Sequence, residues 1–305
     1  MERLAAIPSA HGLLFSRVFI GDSTRVWILA EEEKRASPHT KFLQCKDGKW
    51  IYRTMPWGTA GLCGVTVPDI EFFAVGVDGE VLRGTRTGFN DEKVDDSGNG
   101  PQKRGFLRDV RMIGGSVYVV GMGRQAYRRG KTGTWSRFDA GILSDTKELV
   151  GLNSVDGVNE KNIYAVGLSG EIWFYNGLKW VRVDSPTNLA LHRVLCIAPD
   201  KVYACGAGGI LLSGSEGKFE VIEPDTTDDN FYDMGWFQNK LYVAGLKNLY
   251  VMADDKLKVV DFKLGDGFTT GHLHSKENMM WTVGSRHLAY TLDGNKWIQV
   301  FYDGE

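Results

Sequence analysis

The sequence predicts an all-β fold, a seven-bladed β-propeller with four antiparallel strands in each blade. Three observations predict it. First, the stretch Ile163-Tyr164-Ala165-Val166-Gly167 recurs as Phe72-Phe73-Ala74-Val75-Gly76, Val117-Tyr118-Val119-Val120-Gly121, Val202-Tyr203-Ala204-Cys205-Gly206, Leu241-Tyr242-Val243-Ala244-Gly245 and Met280-Trp281-Thr282-Val283-Gly284, with a weaker first copy at Val26-Trp27-Ile28-Leu29-Ala30. The seven copies lie 46, 45, 46, 39, 39 and 39 residues apart, and a period of this size marks a repeat architecture. Second, most repeats end in a Gly turn followed by an aromatic residue: Gly48 before Trp50, Gly133 before Trp135, Gly177 before Trp180, Gly217 before Phe219 and Gly294 before Trp297. Third, the period fills all 305 residues, and the 38 glycines suit many tight turns.

Within a repeat the elements follow from local chemistry. In the fourth, Leu149 to Ser154 reads as a first strand, Asn162 to Val166 as the second, Gly170 to Tyr175 as the third and Lys179 to Val183 as the last. Their β-branched and aromatic residues fit half-buried strands, and Asn176-Gly177 is a hairpin signal. A four-stranded unit of this size cannot bury its own faces, which implies a radial ring of sheets. The aromatics three residues before each closing Gly (Trp27, Phe73, Tyr118, Tyr164, Tyr203, Tyr242, Trp281) are expected to fill the gaps between sheets. One domain is expected over 1–305, with blades at roughly 13–54, 61–95, 106–138, 147–183, 191–222, 231–262 and 271–302 and residues 1–12 as a closure segment.

Composition narrows the function. A net charge of −2, with both signs interspersed, argues against a nucleic-acid surface. The four cysteines, Cys45, Cys63, Cys196 and Cys205, have no metal-binding spacing, and Met1 to Pro8 lacks the pattern of a signal peptide. A cytoplasmic, reduced protein is expected, with no cofactor, metal or membrane partner.

Strand order places the longer connections on one face: Glu31 to Thr40, Thr54 to Gly61, Asp95 to Gly105, Asp139 to Thr146, Asp184 to Ala190, Glu223 to Asn230 and Lys263 to Thr270. Asp156 to Glu160 lengthens one turn on the other face, and Asn90 to Arg104 is a candidate mobile loop. On the long-loop face Asp225, Asp228 and Asp229 gather beside Phe231 and Tyr232, and Trp57 and Phe268 also lie in loops. Acids beside exposed aromatics are candidate contacts for a protein partner.

The first strands line a central channel. Aligned on Val18, Val110, Val194, Met234 and Leu273, they set Arg17, Asp109, Arg193, Asp233 and His272 at one level, with Leu62 there in the second blade and the fourth blade poorly aligned. Such a ring suits either a small anion or a partner's inserted side chain, or else a self-neutralising, hydrated lining. His272 and His274 share a strand face, but zinc needs three or four ligands. His11, His39, His192 and His287 fall in other blades.

The repeat resembles propellers of the Asp-box type, which include sialidase-like propellers and the photosystem assembly-factor family. The best match to the Asp box is Thr291-Leu292-Asp293-Gly294-Asn295-Lys296-Trp297. For a sialidase, the resemblance implies three substrate-gripping arginines, for which Arg17, Arg108 or Arg111, and Arg193 are candidates, together with a Tyr nucleophile paired with a Glu. The family's Arg-Ile-Pro signature is absent and no Tyr/Glu pair stands out. Propellers of this sort also occur as immunity proteins beside secreted bacterial toxins. The expected function is therefore non-enzymatic protein binding across the long-loop face, in the form of an immunity protein. The alternative is a glycosidase or lectin taking a sugar or small anion at the channel mouth.

Overall fold

The computed structural model describes residues 12–47, 49–144, 148–222, 227–265 and 267–301. They form seven four-stranded antiparallel sheets, the blades of a β-propeller, and in each sheet the strands lie in chain order. Blade 1 holds β1 (Leu13–Asp22), β2 (Arg25–Glu32), β3 (Thr40–Lys46) and β4 (Lys49–Met55). Blade 2 holds β5 (Thr59–Val65), β6 (Glu71–Gly76), β7 (Glu80–Thr85) and β8 (Gly88–Lys93). Blade 3 holds β9 (Leu107–Ile113), β10 (Ser116–Gly121), β11 (Ala126–Arg129) and β12 (Trp135–Arg137). Blade 4 holds β13 (Leu152–Asn159), β14 (Asn162–Gly167), β15 (Ile172–Tyr175) and β16 (Trp180–Val183). Blade 5 holds β17 (Leu191–Ala198), β18 (Lys201–Gly206), β19 (Leu211–Ser215) and β20 (Lys218–Val221). Blade 6 holds β21 (Asp233–Phe237), β22 (Lys240–Ala244), β23 (Leu249–Ala253) and β24 (Lys256–Val259). Blade 7 holds β25 (His272–Lys276), β26 (Met279–Val283), β27 (Leu288–Thr291) and β28 (Trp297–Gln299).

Three local expectations are corrected. β13 runs through Asn159, so 156–160 belongs mostly to a strand, bent by register shifts, and is not a lengthened turn. β8 occupies the start of the stretch 90–104 and a helical turn, α1 (Pro101–Arg104), its end. The Asn176-Gly177 pair sits in a loop between Tyr175 and Trp180: only Gly177 has a left-handed φ, at 90°, while the Asn176 carboxamide oxygen accepts from the Leu178 and Lys179 N–H groups. The expected closure segment lies outside the described residues except for Gly12, whose carbonyl accepts from the Glu33 N–H.

The chain divides into two compact units: Met1–Gly58 with Phe231–Glu305, which carries blades 1, 6 and 7, and Thr59–Asn230, which carries blades 2 to 5. Each unit buries apolar side chains between successive sheets. In the first, Trp281 packs with Ile28 and Tyr290 between blades 7 and 1. In the second, Tyr164 and Phe174 meet Val202 and Phe219 between blades 4 and 5. Six of the seven repeat aromatics are buried and Tyr203 is half-buried. A fully buried aromatic of this kind contributes about 1.5–3 kcal/mol.

The Gly that closes the repeat stretch has a steric cause. A Cβ at Gly206 would run into the Ala190 carbonyl oxygen, and one at Gly167 into the Gly151 carbonyl oxygen. In blades 4 and 5 the chain leading into the first strand presses on that point, as the Ala207 N–H bond to Ala190 and the Leu168 N–H bond to Gly151 show. The end of a blade that carries the second-to-third turn and the link to the next blade is here called the loop end.

Candidate functional site

The first strand of a blade pairs along one edge with the second strand. Its other edge carries N–H groups with no strand partner, and each would cost about 1–3 kcal/mol if buried unsatisfied. Side chains of the preceding blade supply the acceptors. In the second unit, the Asp109 carboxylate of β9 accepts from Val155 N–H at 3.1 Å and the Ser154 hydroxyl of β13 from Val194 N–H at 3.3 Å. In the first unit, Asp233 of β21 accepts from Leu273 N–H at 3.0 Å and His272 Nδ1 of β25 from Val18 N–H at 3.4 Å. Two residues along, Asp156 accepts from Cys196 N–H at 2.8 Å and His274 Nδ1 from Ile20 N–H at 3.2 Å. In every case the acceptor is one register step before the N–H it receives.

Strand pairing shows which residues are equivalent. Arg17, Asp109, Arg193, Asp233 and His272 all pair with the residue just before the close of the repeat stretch, as the sequence alignment expects. The same register assigns Gly61, not Leu62, to this level in blade 2, and Ser154 in blade 4. Gly61 stands there because a Cβ would crowd Val110. Ser154 was missed because alignment on apolar positions ignores hydroxyls. Alignment on the strand partner of the closing Gly finds it.

These groups are already engaged. Arg193 Nη1 lies 3.1 and 3.2 Å from the Asp109 carboxylate oxygens, which also accept from the Ser154 hydroxyl at 2.9 Å. Both members of this ion pair are buried. His272 accepts a backbone N–H at Nδ1, so its proton sits on Nε2, 3.3 Å from Asp233 Oδ2. Arg17, half-buried, donates to the Ser16 carbonyl. Burial pushes the Asp156 carboxyl up, countered in part by Arg111. Burial likewise pushes the Cys63 and Cys196 thiols up, which suppresses the reactive thiolate.

Among the described residues, no group of three or more His, Cys, Asp or Glu side chains is placed to hold a metal ion. His39 Nε2 accepts from Glu32 N–H and His287 Nδ1 from Thr269 N–H, so these two brace loops. Charged pairs also tie neighbouring sheets of the second unit together. Arg129 is bidentate on Glu92 at 2.7 and 2.8 Å, with Trp135 Nε1 added at 2.9 Å. Arg124 grips Glu171, joined by Trp173 Nε1.

The expected partner contacts divide by exposure. Tyr232 is 42% exposed, Asp228 is exposed, and Asp229 and Trp57 are half-buried. The Asp229 N–H donates to Thr227 Oγ1, and the Trp57 carbonyl accepts from the Thr40 hydroxyl. Asp225 lies outside the described residues. The expected exposure of Phe231 and Phe268 is corrected. Phe231 is fully buried edge-on against Tyr250, and Phe268 is buried against Phe262 and His287. Each aromatic gains more by packing beneath its own loop than by facing water.

No protein-family model matches the chain. Over 248 residues it is 32% identical to the immune protein Tsi7 of Pseudomonas aeruginosa, a match that covers 81% of this chain and 81% of that protein. The chain belongs to the Tsi7 family of immune proteins. Among solved structures, YCF48 from Cyanidioschyzon merolae superposes with a TM-score of 0.67 at 14% identity, over 92% of this chain and 96% of that one. The virginiamycin B lyase of Staphylococcus aureus reaches 0.68 at 11% identity, over 89% and 92%. At such identities the likeness is one of fold alone, so the Tsi7 relationship is what bears on function. It bears out the expectation of an immunity protein.

Proposed function

We propose that this Tsi7-family propeller neutralises a protein toxin by binding it, without catalysis of its own. The kinship with an immune protein carries the reading. The first-strand charges support it from the other side: Arg193 is committed to Asp109 and His272 to Asp233 and Val18, so the groups a glycosidase or lectin would use hold sheets together instead. Binding falls to the loop ends of the blades, where Trp57, Asp228, Asp229 and Tyr232 lie. The partner is a protein rather than nucleic acid or membrane, in keeping with the net charge of −2. This propeller meets the toxin in the cytoplasm, where the four cysteines, none of them in a disulfide, stay reduced.

We assign the repeat to the Asp-box type. Asp293 Oδ1 accepts from Asn295 and Lys296 N–H at 2.8 Å each, and Thr291 Oγ1 from Gly294 N–H at 2.9 Å, so the Thr-x-Asp side chains organise the last hairpin.

The test is co-expression with each candidate toxin encoded in the genome that carries it. Growth is expected to be restored and a complex of defined stoichiometry to co-purify. Continued toxicity with soluble, folded propeller present, and no complex, rejects the reading.

A further inference from the structure

An exposed apolar side chain by itself needs no explanation. Three such residues share a place in the repeat. Phe106 is 56% exposed, Leu149 76% and Leu189 42%, and each lies in the segment leading into a first strand: β9, β13 and β17 of three consecutive blades of the second unit. Contacts between successive blades bring these segments to the loop end: Gly123 of blade 3 bonds to Val150 ahead of β13, and a Cβ at Gly170 of blade 4 would run into the Thr187 carbonyl oxygen ahead of β17. Met122 N–H donates to the Phe106 carbonyl, Leu168 N–H to Gly151, and Ala207 N–H to Ala190. Met122 also forms an antiparallel bridge with Gly151. Leu189 Cδ1 reaches the turn at Gly208, within 3.4 Å of where a Cβ would stand.

A cation stands within this arc. Arg108, two residues after Phe106 and exposed, reaches the Met122 thioether sulfur at 3.5 Å, a weak acceptor. Its chain neighbour Asp109 is taken up by Arg193. Arg108 is exposed, two residues from Phe106 and against Met122, and an exposed guanidinium fork favours bidentate capture of a carboxylate.

We propose that Phe106, Leu149 and Leu189, with Arg108 among them, form the principal contact for the toxin. The matching surface of the toxin presents an apolar side chain flanked by an Asp or Glu. This rests on the immunity reading and adds the site and the chemistry of the partner surface. It shifts the centre of recognition from the acidic loop to an apolar arc around Arg108, a residue type enriched at interface hot spots.

The probe is the purified toxin identified by that co-expression, with binding measured by calorimetry. Phe106→Asp and Leu149→Asp are each expected to weaken binding by about 30-fold or more, the effect of losing a hot spot, with the melting temperature unchanged because both side chains already face water. Arg108→Glu is expected to weaken binding similarly and to be rescued by an Asp→Arg or Glu→Arg change on the toxin. Leu178→Asp, 89% exposed in the hairpin at the other end of blade 4, is expected to have no effect. If wild-type protein binds and both Asp variants bind as tightly, the arc is overturned and the immunity reading stands. If wild-type protein does not bind the toxin, the immunity reading falls and the arc with it.

Discussion

Removing the Asp109 carboxylate tests whether the first-strand charges are structural. Asp109→Ala deprives three groups of an acceptor at once: the Val155 N–H, the Ser154 hydroxyl and the Arg193 guanidinium. Arg193 is 5% exposed, so it becomes a buried charge without its counterion, a defect of about 3–5 kcal/mol. The orphaned N–H adds about 1 kcal/mol or more, while the hydroxyl can turn to another acceptor. A total loss of about 4–6 kcal/mol is expected, equivalent to a fall in melting temperature of roughly 8–15 °C for a chain of this size. Urea unfolding monitored by circular dichroism measures it directly. Adding Arg193→Met to Asp109→Ala removes the stranded charge and is expected to recover about half of the loss, a coupling that a double-mutant cycle isolates. A single variant within about 1 kcal/mol of wild type, or a double variant less stable than Asp109→Ala, would refute the reasoning.

Three further outcomes follow from the same geometry. Burial would raise the Glu171 carboxyl, but hydrogen bonds from Arg124 and Trp173 outweigh it and hold the group below its ordinary 4.5. Its stability contribution is present above pH 4.5 and lost as pH falls through the lower folded value, so Arg124→Gln is expected to lower the melting temperature at pH 7 and to narrow that gap in a series down to pH 3. Gly206→Ala places a methyl against the Ala190 carbonyl and is expected to destabilise by about 3 kcal/mol in chemical denaturation, the upper range for overpacking. In a toxin pull-down, Asp228→Ser with Asp229→Ser is expected to reduce capture by about 10-fold or less, as fits charges at an interface rim. A complete loss of capture would put the acidic loop at the centre instead.

The repeat was legible because each blade solves the same packing problem with the same side chains. Trp27, Tyr164 and Trp281 recur at one position, since a sheet face buried against a sheet face needs a large apolar group there, and Gly167 and Gly206 recur because a backbone oxygen presses on them. The candidate site was less legible. Asp228 and Tyr232 were found as polar and aromatic loop residues, but nothing local in Phe231 or Phe268 distinguishes a ring turned outward from one packed beneath its own loop. Ser154 is an unremarkable serine until strand register sets it beside Val194.

By itself, then, the sequence determined the number of sheets and their four-stranded make-up, because these depend on contacts repeated at a fixed period. Tertiary structure alone decided that Asp109 meets Arg193 across an intervening strand, and that Phe106, Leu149 and Leu189, 43 and 40 residues apart in sequence, lie on segments of successive blades. Proximity of that kind comes from how whole blades stack, and no stretch of chain carries it locally.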